Sequence, residues 1–207
     1  KFTFIMSTFT LVVSLILIIG GFYNSIDQFV RFAGYGNVVT GLFFFGFLTL
    51  MMDIMNLPFS LYKTFIIEEE FGFNKTSLST FFLDKLKGYF LLIVLAGPIL
   101  FLVLLFYEEY GNKAWIYSWM LLIIFSILIQ PLFNLFIAPI FNKFYPLEKG
   151  SLLNKIKAYL VKVNFPVKKI EIMDGSKRSS HSNAYFSGIG KNKRIALFDT
   201  IIEQMND

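Results

Sequence analysis

The chain has 207 residues, of which 56% are hydrophobic, 27 are phenylalanine and only 16% are charged; soluble domains carry about a quarter charged residues, so a soluble globular architecture is excluded. The net charge of +5 does not indicate nucleic acid, because the basic residues sit in blocks between apolar runs, as in membrane proteins. With no cysteine, disulfides, thiolate catalysis and cysteine-ligated metal sites are excluded as well.

Four apolar runs are long enough, or nearly so, for a bilayer crossing of roughly 20 residues. They are Phe4–Tyr23, Val38–Leu57, Tyr89–Tyr107 and Ala114–Phe141, the last with its span near 114–138 and a bend expected at Pro131. The first run is too long, and followed by too many others, to be a cleaved signal. Gly97–Pro98 is expected to kink the third.

Lysine and arginine set the orientation. The loops after the first and third runs carry Arg31 and Lys113. The loop after the second carries Lys63, Lys75, Lys85 and Lys87, and the tail after the fourth is richer still. Four crossings place that loop and the tail on one side, which the positive-inside rule makes cytoplasmic. The expected architecture is an α-helical integral membrane protein with four transmembrane helices over residues 1–141, followed by part of a cytoplasmic α+β domain over 142–207.

Within the tail, Leu152, Leu153, Ile156, Leu160 and Val163 recur at helical spacing. Ser151 is the expected N-cap, and Pro166 the stop. "VKKIEIMD" predicts a strand with Ile170 and Ile172 on one face; "NAYFSG" and "KRIALFD" predict two more, joined as a hairpin through "GIGKN". Thr200 and Glu203 have capping-box spacing, so a helix is expected from Ile201. The chain starts at Lys1 and stops at "IIEQMND", which reads as a segment with both ends missing.

The polar stretch "DGSKRSSHSNAYFSGIGKNKRIALFDT", Asp174–Thr200, holds the single histidine, His181. One imidazole without thiols falls short of the three protein ligands of a catalytic zinc, so this stretch is no catalytic centre by itself. His181 reads as a hydrogen-bonding loop residue. Asp53, inside the second run, supports two readings: a functional intramembrane acid or a residue near the helix end in contact with water. Glu68–Glu70 points in several directions around a helix and reads as a solvated face. Asn74 heads a glycosylation sequon on the side expected to be cytoplasmic, where it goes unused. From pattern alone, Asn183, Ala184 and Tyr185 form an ordinary strand with a capping asparagine.

Two blocks, Leu57–Gly88 and Pro131–Gln204, resemble the Ste24-type CAAX prenyl proteases, the membrane zinc metallopeptidases of family M48; "GSKRSSHSNAYF" followed by "KNKRIALFDT" carries most of that resemblance. It implies a metalloendopeptidase of peptide or protein substrates, prenylated ones included, in the endoplasmic reticulum or a bacterial cell membrane. It implies zinc in the full-length protein, held by an HExxH helix after "DTIIEQ" and a further Glu. HExxH does not occur here, so no catalytic residue or metal ligand is expected in this segment, which should be inactive without the missing C-terminal part. The resemblance also makes Asn183, Ala184 and Tyr185 the substrate-binding candidates, as an edge strand offering backbone groups to an extended peptide. The alternative from another class is a non-catalytic membrane scaffold or transporter with a cytoplasmic domain; transporters tend to show repeats, and none is visible.

Overall fold

The computed structural model describes residues 1–188 and 190–204. Besides a single turn at Glu68–Glu70, its α-helices are α1 (Phe2–Ile19), α2 (Phe22–Arg31), α3 (Asn37–Tyr62), α4 (Leu78–Leu91), α5 (Gly97–Tyr110), α6 (Ala114–Leu132), α7 (Ala138–Phe141), α8 (Ser151–Lys162) and α9 (Asp199–Gln204). The strands are β1 (Phe144–Pro146), β2 (Lys169–Met173), β3 (Ala184–Ser187) and β4 (Arg194–Phe198). The chain divides into two compact units, one of Lys1–Lys63 with Leu95–Met120, the other of Thr64–Val94 with the chain from Leu121.

In the first unit the apolar run to Tyr23 does not form one helix. α1 stops at Ile19, and Gly21 adopts the left-handed φ of 68° that a side chain resists. The amphipathic α2 follows and buries Ile26 and Val30. α3 and α5 approach closely at Gly41, where a Cβ would lie 2.8 Å from Leu104 Cδ1. Small residues at such crossings allow apolar helices to pack without a hydrophobic driving force. Asn37 Nδ2 donates to Glu108 Oε1 at 3.1 Å, and the Phe59 ring meets Phe9 at 4.9 Å. After α5, a tight turn at Gly111–Lys113 reverses the chain, bringing Tyr117 of α6 within 4.5 Å of Tyr110 and 5.8 Å of Phe106, ring to ring.

By length and composition, Phe2–Ile19, Asn37–Glu70 and the reversed segment Leu78–Phe141 are apolar enough to cross a membrane. α1 buries none of its residues, and Phe4, Ile19, Phe29 and Phe32 are all exposed. Large apolar surface turned outward is the signature of a chain whose solvent is lipid. The protein is of the membrane type, mostly helical, with a small sheet.

Short π-helical segments interrupt these helices at Lys63–Ile67, Leu92–Ala96 and Phe133–Ile137. Two have a direct cause. A proline ring clashes with the carbonyl four residues back. Pro98 faces Val94 in this way and Pro139 faces Leu135, each inside a π segment, where a wider turn relieves the clash. Pro131 itself lies inside α6, and the interruption of the helix falls just beyond it, at Phe133–Ile137.

The second unit contains the sheet, ordered β1-β2-β4-β3. β2 and β4 run parallel, with antiparallel β1 and β3 on the two flanks. β1 has no signal in the alternation of the sequence; it is three residues long and ends in Pro146, which an edge strand tolerates. α8 begins after Gly150 with no side-chain cap, so Ser151 is its first residue rather than its cap. Asn164 ends it with φ 50°, while Phe165 N–H donates to the Leu160 carbonyl at 3.0 Å. That left-handed termination stops the helix before Pro166 can. The β3–β4 hairpin forms as expected; Ile189 in its connection, and Met205–Asp207 of the expected terminal helix, lie outside the described residues.

Candidate substrate strand and the cassette that holds it

The polar stretch before β3 is stitched to α9. Gly175 admits no side chain, since a Cβ there would lie 2.5 Å from the Phe198 ring. Ser176 donates from N–H and Oγ to the Asp199 carboxylate at 2.8 and 2.5 Å. Asp199 Oδ1 also accepts the Thr200 N–H at 2.9 Å. Thr200 Oγ1 donates to the His181 carbonyl at 3.0 Å and Gln204 Nε2 to the Ser180 carbonyl at 3.2 Å; Ser182 Oγ also meets Gln204. The capping box of Thr200 and Glu203 does not form. Asp199 begins the helix instead, and the Thr200 hydroxyl is used on the loop.

Arg178 ties the same stretch to the helices. Its Nε and Nη2 grip both oxygens of Asp84 on α4, at 2.6 and 2.9 Å. Nη1 donates to Asn142 Oδ1 at 2.9 Å and Nη2 to the Phe141 carbonyl at 2.8 Å. A planar guanidinium suits this forked geometry, and lysine would not replace it. The Arg178 side chain is 23% exposed and that of Asp84 21%. The one sequence signal for the pair is that Asp84 is the sole acid in α4.

A third attachment runs to the 72–76 loop. Lys75 N–H and Thr76 Oγ1 donate to the Arg178 carbonyl, both at 3.0 Å. Ser180 donates to the carbonyls of Phe73 (from N–H) and Gly72 (from Oγ), again at 3.0 Å. The His181 ring stacks on Phe73 with centroids 4.0 Å apart. Asn74 is buried and its Nδ2 donates to Glu69 Oε2 at 2.9 Å. The sequon carboxamide is thus occupied, and Glu69 braces a turn rather than only facing solvent.

Held at these points, the chain emerges as β3 on the open flank of the sheet. Its register pairs Ala184 with Leu197 and Tyr185 with Ala196, and the Phe198 N–H donates to the Asn183 carbonyl at 2.9 Å. Hydrogen-bonded positions alternate along an antiparallel ladder. Asn183, Tyr185 and Ser187 therefore spend backbone groups on β4, while Ala184 and Phe186 turn theirs to the free edge. Asn183 Oδ1 accepts the Ala184 N–H at 2.8 Å, covering one edge donor. The side chains alternate too: Tyr185 turns its hydroxyl toward Met173 and Arg194, whereas Phe186 is 69% exposed. The three candidates thus have unequal parts, and Phe186, which the sequence pattern did not single out, shares the outward backbone role with Ala184.

Asp53 lies within α3. Among the described residues no three His, Asp or Glu side chains come together as a metal site. With its one imidazole stacked on Phe73, this set of residues does not fit a zinc ion.

Residues 1–143 match the family described as CAAX prenyl protease N-terminal, five membrane helices, and residues 146–207 match peptidase family M48. The human CAAX prenyl protease 1 homolog is 38% identical over 197 residues, covering 92% of this chain and 42% of its own length. CAAX prenyl protease 1 of Saccharomyces cerevisiae is 41% identical over 174 residues, with 84% and 38% covered. The crystal structure of S. mikatae Ste24p superposes with a TM-score of 0.91 at 38% identity, over 98% of this chain and 49% of that one. The chain spans less than half the length of these relatives. On the strength of these matches across nearly its whole length, the chain belongs to the M48 peptidases, in their CAAX prenyl protease branch.

Proposed function

We propose that this chain supplies the membrane helices and the substrate-holding edge strand of an integral membrane zinc metalloendopeptidase acting on prenylated proteins or other peptides. The observation that carries this reading is the free edge of β3, with the outward backbone groups of Ala184 and Phe186. An extended peptide laid antiparallel on it gains main-chain hydrogen bonds whatever its sequence, and Asn183 must release the Ala184 N–H as it docks. Zinc and its ligands belong to sequence outside these residues, where the metal would activate water for peptide hydrolysis. Residues 1–141 form the membrane region with four crossings, and residues 142–207 the cytoplasmic α+β part. The eukaryotic relatives favour the endoplasmic reticulum.

The test uses the full-length protein. Ala184→Pro removes the outward N–H, and kcat/KM should fall roughly tenfold, at about 1 kcal/mol for each hydrogen bond lost, with zinc content and folding intact; Asn183→Gln should cost far less. Tyr185→Pro breaks the ladder to β4 and should lower stability instead. A fully active Ala184→Pro enzyme would remove β3 as the substrate strand.

Topology has its own test. These 207 residues have no cysteine, so Lys85→Cys and Lys177→Cys can be read in a protein freed of any other cysteine, and both should react with an impermeant thiol reagent once the plasma membrane alone is permeabilised. Protection of either until the organelle membrane is also breached would overturn the cytoplasmic placement.

A further inference from the structure

A cavity of about 810 Å³ in the second unit has two unlike walls. One is apolar, from Pro131, Leu135 and Pro139 of the helical segment that ends at Phe141. The other carries Lys143, Lys168, Lys169, Lys193 and Arg194 against the single carboxylate of Glu171. Glu171 is already shared between Lys169 at 3.7 Å and Arg194 at 3.5 Å. The Lys168 ammonium makes a long contact to Asn192 Oδ1, 3.4 Å. Lys193 lies over the Phe165 ring at 4.0 Å, which attracts its charge without neutralising it.

Among the described residues, two buried polar atoms of lining side chains have no hydrogen-bond partner, Arg194 Nε and Asn134 Oδ1. Buried polar groups are nearly always satisfied. The lysine ammoniums, together with the Arg194 charge behind them, would attract an anion with several acceptor oxygens into the cavity. Because the apolar wall belongs to a helical segment of membrane composition, Leu78–Phe141, the ligand that suits both walls is an amphiphile with a negative head.

We propose that this cavity binds the phosphate head group of an anionic phospholipid, with Arg194 and the lysines on the phosphate and the Pro131–Pro139 face along the glycerol and acyl chain. Basic pockets beside membrane helices recognise such head groups by these forces. Arg194 also bonds the Tyr185 hydroxyl of β3, so the test below reads lipid binding itself and not peptide hydrolysis.

The experiment is a calorimetric titration of the full chain in non-ionic detergent with short-chain phosphatidic acid, and in parallel with short-chain phosphatidylcholine and with inorganic phosphate. Phosphatidic acid should bind at least about tenfold tighter than either. Lys143→Gln with Lys168→Gln should weaken it about thirtyfold, from roughly fivefold per cation near a lipid phosphate. Lys155→Gln with Lys162→Gln, an equal charge change on α8 away from the cavity, should shift it less than about twofold. Equal losses from the two pairs would reveal unspecific charge attraction and overturn the site. Inorganic phosphate binding as tightly as the lipid would overturn the lipid assignment, and so would phosphatidylcholine.

Discussion

The two units hold their chains by different means. In the first, helices meet through apolar contact and small residues, as where Gly41 lets Leu104 approach. In the second, the stretch before β3 packs only at Gly175 against Phe198 and at the His181 ring on Phe73, and is otherwise held by hydrogen bonds to the 72–76 loop, α4, the end of α7 and α9. Contacts of the first kind are many, weak and forgiving. Those of the second are few, and each leaves a stranded polar group when broken. A site that must present backbone at a defined edge needs the second kind, because hydrogen-bond geometry fixes direction and apolar contact does not.

Removing the Arg178 side chain should have the largest effect. Arg178→Met strands Asp84, and the unfolding free energy of the detergent-solubilised protein should drop by on the order of 3 kcal/mol, the low end for a buried pair, because the side chains keep 23% and 21% exposure. The double variant Asp84→Leu with Arg178→Met should recover much of that loss, since no charge is then left alone. If the double variant is no better than the single, the pair is not what holds the cassette.

Gly41→Leu probes the other unit. It forces a side chain onto Leu104 and should cost about 1–3 kcal/mol by the same measurement, and Gly41→Ala less, since Leu104 can yield. A neutral Gly41→Leu would show that α3 and α5 do not depend on close approach. The smallest effect belongs to the exposed ion pair of Asp27 and Arg31, 2.7 Å apart on α2. Asp27→Asn should leave the unfolding free energy unchanged, because water screens such pairs.

Much of the frame was legible in the residues. Apolar runs located the long helices, and the turn residues between "NAYFSG" and "KRIALFD" located the hairpin. Local rules failed where two good local options competed. Ser151, Thr200 and Pro166 each looked like a helix terminus, yet Gly150, Asp199 and Asn164 took those positions. Glu69 read as part of a solvated face and is exposed, yet it also accepts a hydrogen bond from the buried Asn74.

The sequence alone determined that this chain is of the membrane type and that it offers a single imidazole and no thiol. Those conclusions are sums of composition and short-range periodicity, and they hold whatever the segments later touch. Only the tertiary structure decided that Arg178 reaches Asp84 across 94 positions, that Gly175 must yield to Phe198, and that Ala184 and Phe186, not Tyr185, face the open edge of β3. Each of these depends on which segments meet and in what register. A one-residue change of register would turn every backbone group of β3 the other way, and nothing local to "NAYFSG" records which register wins.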